Sequence, residues 1–181
     1  RPGAASTLGA EIAAKSPGDG YTLLIVAVPF AVNQTLYTRL PYDTLRDLTP
    51  VIYAGASANI LTVHPSVPVT SVQDLIKLAK AKPGLLTYAS AGSGTSPHMA
   101  MELLKLMTGV NMLHIPYKGG APAVTDLIGG HVMMYCENLP NLLPHAQAGR
   151  LRAIAVTTAA RIKQAPQIPT IAETIPGYEV V

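Results

Sequence analysis

From Ser71 to Thr157 the chain repeats one order of signals: a short β-prone run, a loop of small residues, a helical run and a closing glycine. Ser71-Val-Gln-Asp74 opens the first helix, with Ser71 as N-cap and an acid in the first turn, where the helix dipole favours it. Val72, Leu75, Ile76 and Ala79 share one face, and Pro83-Gly84 ends the run. A strand over 85–89 then leads through the loop 90–96 to a helix that opens at Pro97 and stops at Gly109. Two more rounds follow. The strand over 112–115 passes through the loop 116–121 into a helix ended by Gly129-Gly130, and the strand over 132–135 passes through the loop 136–140 into a helix ended by Gly149. A last strand spans 151–157. Such alternation predicts βαβ crossovers and an α/β fold with a mainly parallel sheet and flanking helices. Ligands of open α/β sheets sit outside the carboxyl ends of the strands, which is where these loops fall.

The N-terminal third is less regular. A short helix is expected over 9–15, stopped by Pro17-Gly18, and a strand covered on both faces over 21–28, where aliphatic residues run without alternation. A loop over 28–33, holding Phe30 (the only phenylalanine) and Asn33, follows it, with shorter strands over 51–56 and 60–64. The apolar stretch 21–32 is too short to span a bilayer and is broken by Pro29. The opening RPGAAS has no basic segment followed by an apolar one, and the ending PGYEVV stops on the start of a strand, so a piece of a longer protein is expected.

Several function classes fall away. Hydrophobic residues make up 49% and charged residues 13%, too apolar for a disordered chain. The net charge is +3, with no cluster of Lys and Arg, which argues against a nucleic-acid partner bound by charge. The lone Cys136 cannot form an intrachain disulfide. Histidines 64, 98, 114, 131 and 145 lack metal-ligand spacing, and neither a metal nor a cofactor is implied.

The richest loop is Ser90-Ala-Gly-Ser-Gly-Thr-Ser96. Gly92 and Gly94 let a ligand approach the backbone, Ser93, Thr95 and Ser96 add hydroxyls, and a helix N-terminus behind them suits an anion. The same residues also read as a tight turn with Ser96 as N-cap, and the two readings are compatible. The loop is no nucleotide fingerprint, because Pro97 stands where a third glycine is needed and no P-loop lysine follows. In the second loop, Tyr117-Lys118-Gly119-Gly120, Lys118 is either a cation for an anionic ligand or simply solvated. In the third, Glu137 either meets a ligand amine or caps a helix, with Asn138 beside it. No G-x-S-x-G elbow, Ser/His/acid spacing or pair of loop carboxylates selects catalysis.

The runs YASAGSGTSPH, HIPYKGGAPA, ENLPNLLPHAQAGRLRAIAVT and PGDGYTLL together resemble the Bug family, the periplasmic substrate-binding receptors of tripartite tricarboxylate transporters. The resemblance covers essentially the whole chain. It implies a type II, Venus-flytrap binding protein with two α/β lobes, no catalysis, and a small organic carboxylate delivered to membrane permease subunits from the periplasm. Carried over by position, the ligand contacts are Ser90, Gly92, Ser93, Gly94, Thr95 and His98, with Tyr117, Lys118, Gly119, Glu137 and Asn138 as further candidates. Phe30 and Asn33 would face them from the other lobe. On this reading residues 1–61 are part of a first lobe, 62–158 a second lobe, and 159–181 a return towards the first.

There are departures from the family pattern. The opening strand with its PFxPGG loop and the C-terminal portion are absent from these residues. At GAAST the family's GAGGN has lost its second glycine and its asparagine, and Cys136 replaces a usual aromatic or aliphatic residue. One lobe is therefore expected to be incomplete, with exposed apolar edges that favour a homo-oligomer. The other classes weighed are an interaction or sensor module and a serine hydrolase using a serine near His98.

Overall fold

A computed structural model describes residues 7–181, so most of the GAAST departure lies outside the described residues. The chain forms two units: one holds the residues up to Gly55 together with Ser93–Thr95, the other Ala56–Gly92 and Ser96–Val181.

In the first unit, α1 (Thr7–Ala14) and α2 (Val28–Leu36) are joined by a hydrogen bond from Asn33 Nδ2 to Thr7 Oγ1, 3.2 Å. Two expectations are corrected here. The segment 21–28 enters no strand ladder, and Tyr21 (92%) and Ile25 (90%) are exposed rather than covered. A strand needs a partner for its backbone, and β-propensity does not supply one. The segment 51–56 likewise forms no strand, with Val51, Ile52 and Tyr53 exposed. The expected loop over 28–33 is instead the start of α2, because Pro29 in the first turn costs no hydrogen bond and presets φ for a helix. Phe30 accordingly projects from α2 and stacks on Tyr42, ring centres 6.0 Å apart.

The second unit is a five-stranded sheet in the order β3-β2-β4-β1-β5, built from β1 (Asn59–Val63), β2 (Thr87–Ser90), β3 (Leu113–Pro116), β4 (Met134–Asn138) and β5 (Arg152–Val156). The helices are α3 (Val72–Ala81), α4 (Ser96–Thr108), α5 (Gly120–Ile128) and α6 (Leu139–Gln147). β2 runs parallel to β3 and β4, whereas β1 lies between β4 and β5 and is antiparallel to both. The sheet is thus mixed, with one strand against four. The segment β1-α3-β2 joins opposed strands and is not a crossover of the expected kind, while the later connections are.

Alternate residues of each strand feed two apolar layers, as a two-residue period requires. Leu61, Val63, Tyr88 and Met134 pack with Val72, Leu75, Met101 and Leu104 of α3 and α4. Ile60, Ala89 and Tyr135 pack with Ala123 and Leu127 of α5 and Leu142 of α6. Ser71 Oγ accepts from Asp74 N at 3.1 Å, so the first helix is capped as its sequence requires. The residues after β5 close on the same unit: the buried Tyr178 hydroxyl donates to Ala100 O at 2.9 Å, and Val180 N donates to Thr157 O at 3.0 Å. No helix among the described residues is long and apolar enough to cross a membrane.

Candidate functional site

The carboxyl ends of β2, β3 and β4 share one edge of the sheet, and each leads directly into a helix N-terminus there. The β2–α4 connection is the loop singled out from sequence. Its backbone needs its glycines: Gly92 has φ +131 and Gly94 φ +80, values that a side chain would strain. Ser96 is the first helical residue of α4, one position inside the helix rather than at the N-cap expected for it. No acid occupies the first turn of α4, so its positive end is not neutralised by a side chain of its own. Ser93 is exposed, and Thr95 and Ser96 are half-buried.

Ser90 has a different place. It is fully buried (0% exposed), and three bonds converge on it. Gly92 N donates to Ser90 Oγ at 3.2 Å, Ser90 Oγ and His114 Nε2 are 2.6 Å apart, and Tyr117 N donates to Ser90 O at 3.0 Å. The residue therefore ties the first loop to β3 and to the second loop.

His114 belongs to a half-buried polar cluster between the sheet and α4. Its ring stacks on His98 at 4.2 Å and on Tyr88 at 5.0 Å. Glu102 accepts from the Tyr88 hydroxyl and from Lys105 Nζ at 2.7 Å, and His98 Nε2 lies 3.9 Å from its carboxylate. Burial pushes His114 down to about 4, helped by the charges of His98 and Lys105 and opposed by Glu102. Burial also lowers His98. Burial works to raise the Glu102 carboxyl, but the hydrogen bonds from Lys105 and Tyr88 outweigh it and hold it below the ordinary range. His114 was not among the sequence candidates. Its signal was alternation along β3, which places it on the same face of the sheet as Ser90 and Tyr88.

In the second loop Gly119 has φ +116 and α5 starts at Gly120. Lys118 is exposed, while the Tyr117 hydroxyl donates to Asp126 Oδ2 at 2.8 Å. Burial and that bond push the Tyr117 phenol up to about 12. The third expected loop is not a loop: Cys136, Glu137 and Asn138 complete β4, because β1 pairs with them, and α6 begins at once. Glu137 is 3% exposed and internally satisfied, accepting from the Tyr135 hydroxyl and, at 2.8 Å, from Asn138 N. Asn138 caps α6 by position only, with no side-chain hydrogen bond to its backbone.

Asn59, opposite Asn138 in the ladder, is a second residue that the sequence reading missed. It is 1% exposed, and neither Nδ2 nor Oδ1 has a hydrogen-bond partner among the described residues. Phe30 and Asn33 belong to the first unit, on α2. No cluster of three or more potential metal ligands occurs among the described residues.

Two serine hydroxyls lie against histidine nitrogens: the exposed Ser66 at 2.7 Å from His64 Nδ1, and the buried Ser90 at 2.6 Å from His114 Nε2. Ser90 already accepts a backbone N–H, so its hydroxyl holds the loop rather than attacking a substrate.

Residues 1–181 match the protein family described as the tripartite tricarboxylate transporter family receptor. Protein BugT of Bordetella pertussis is 41% identical over 180 residues, covering 98% of this chain and 55% of that protein. Among solved structures, "R. palustris Rpa4515 with adipate" is 43% identical with a TM-score of 0.93, covering 99% of this chain and 61% of that one. "MatC (Rpa3494) from Rhodopseudomonas palustris with bound malate" is 27% identical with a TM-score of 0.86, covering 98% and 61%. The chain spans about half the length of the curated relatives it matches.

Proposed function

The chain belongs to the tripartite tricarboxylate transporter receptor family, and from that premise we propose that it is part of a solute-binding receptor for a small organic dicarboxylate. The observation that carries this reading is the loop 90–96. Gly92 at positive φ leaves the backbone without a side chain, Ser93, Thr95 and Ser96 contribute hydroxyls along the loop, and α4 has no acid in its own first turn. Gly94, by contrast, is buried against Leu36 and serves the turn rather than a ligand. The exposed Lys118 supplies a cation on the neighbouring loop. The ligands named for two similar structures, adipate and malate, are both dicarboxylates and support the same chemistry. Ser90 acts here from beneath the ligand loop and His98 lies on the first turn of α4, whereas the buried Glu137, held by Tyr135 and Asn138, is left a structural role. Delivery of the ligand to membrane permease subunits is supported by the family description, a transporter receptor, and a place in the periplasm by the likeness to a structure described as periplasmic binding protein BugD.

A thermal-shift screen of the chain against adipate, malate, succinate, citrate and acidic amino acids tests the reading. Selective, concentration-dependent stabilisation by one dicarboxylate is the expected result, since a ligand that binds only the folded chain raises its stability by mass action. Equal response to all of these and to chloride would overturn it.

A second reading rests on the exposed Tyr21, Ile25, Ile52 and Tyr53 of the first unit, which favour self-association of this chain. Sedimentation across a hundred-fold concentration range measures it, and an invariant monomer mass would remove it.

A further inference from the structure

We propose that His114 is the positioning residue of the ligand loop: through the buried Ser90 hydroxyl it holds the Gly92 turn in place, and it releases that turn on taking up a proton. The inference deepens the carboxylate-binding reading and rests on it for its functional consequence.

The argument is one of donors and acceptors. The Ser90 hydroxyl has one proton to give and accepts the Gly92 N–H at 3.2 Å. A neutral imidazole with Nε2 unprotonated takes the Ser90 proton across 2.6 Å, and the Ser90 hydroxyl then both donates to His114 and accepts from Gly92. A protonated imidazole donates from both nitrogens. Ser90 Oγ must then accept two bonds, and its own proton is left without an acceptor at a fully buried position. The arrangement that holds Gly92 is therefore the one with neutral His114. Because Tyr117 N donates to Ser90 O, a shift of Ser90 also reaches the second loop.

The groups facing His114 decide how readily it charges. From β2 the Tyr88 ring stacks on it at 5.0 Å, and from α4 the His98 ring stacks at 4.2 Å. Glu102 would attract a proton, but Lys105 and the Tyr88 hydroxyl already engage its carboxylate. Lys105, 5.5 Å over the Tyr88 ring, and His98 oppose a further cation. Burial adds to that opposition, which keeps His114 neutral until the medium is strongly acidic.

Amide hydrogen exchange and ring titration by NMR on the whole 181-residue chain test the proposal. After correction for intrinsic rates, the Gly92 amide should exchange at least ten-fold faster once His114 is protonated, while core amides such as Leu61 keep their protection. His114→Phe keeps the ring stack but loses the acceptor, and should show the fast Gly92 exchange already at pH 7. His114→Gln offers an amide oxygen to Ser90, and should restore protection and abolish its pH dependence. Gly92 exchange that is the same in wild type and His114→Phe, or that follows pH unchanged in His114→Gln, would overturn the proposal. If both variants failed to fold, the wild-type titration alone would still decide, because Gly92 exchange must track the His114 ring titration. Adipate added to the same samples separates the two readings. A pH-coupled Gly92 turn with no adipate response would leave the positioning role standing and remove the ligand assignment. Adipate affinity equal in wild type and His114→Phe at pH 7 would do the reverse.

Discussion

A Cβ atom on Gly120 would stand 3.1 Å from Oε2 of Glu137, so the first residue of α5 lies directly against a buried carboxylate of β4. The chain thus supplies its own anion beside the start of α5, whereas α4 opens on a loop with no acid of its own in the first turn. Of the two neighbouring helix starts, the α4 end is the one that suits an anion from outside.

The same relationship makes Glu137 a structural acid. Glu137→Ala leaves the Tyr135 hydroxyl and Asn138 N without their acceptor, and should cost about 1–3 kcal/mol by urea unfolding. Tyr135→Phe removes one bond and its donor together and should cost about 1 kcal/mol. A double-mutant cycle should show that the two losses are not additive.

Backbone strain tests the ligand loop. Gly94 has φ +80, and a Cβ there would stand 2.6 Å from Leu36 Cδ1, so Gly94→Ala should cost at least about 1–2 kcal/mol in stability from the left-handed backbone, with the displacement of Leu36 in addition. Thr95→Val keeps the shape of its side chain but loses the hydroxyl. It should weaken dicarboxylate affinity about ten-fold, the loss of about 1.5 kcal/mol expected for a hydrogen bond to a charged group.

The acid response has a definite sign. His114 is ordinarily half-protonated at 6.5 and is pushed down to about 4 in the fold, so between these values the unfolded chain binds more protons than the folded one. Stability should therefore be fully present above pH 6.5, fall as pH drops towards 4, and flatten below it as far as this residue is concerned. Thermal midpoints measured from pH 7.5 to 3.5 in wild type and His114→Gln check this, the variant lacking that part of the slope.

Arg161 and Glu173 provide a control away from the site. The guanidinium donates to both carboxylate oxygens at 2.7 Å, and that pairing with the Thr170 backbone bond holds Glu173 down to about 2. A carboxyl-detected NMR titration should find Glu173 ionised until near pH 2, and Arg161→Gln should return it towards the ordinary value of 4.5.

What could be read from the sequence was what local chemistry decides. Ser71 and Asp74 specify a cap by their own spacing, Pro97 suits a first turn, and Gly109 at φ +68 supplies the left-handed residue that ends α4. What could not be read depended on partners distant in the chain. Residues 21–26 are β-prone but have no ladder among the described residues. The direction of β1 is set by β4 and β5, some seventy and ninety residues away, and β1 in turn draws Cys136 to Asn138 into the sheet. The site divided in the same way. Gly92 and Gly94 announced a close-approach loop, but the burial of Ser90 and its bond to His114 required the pairing of β2 with β3. Asn59 was hidden for the same reason, since nothing local marks an asparagine whose amide will be buried without a partner.

The central claim, that the loop between β2 and α4 receives a small carboxylate, is tested most directly by following backbone amide shifts of the labelled chain during titration with adipate. Saturable shifts concentrated on residues 91–98, and strongly weakened in Thr95→Val, are the predicted result. Saturable shifts centred elsewhere, or equal shifts in wild type and Thr95→Val, would contradict it.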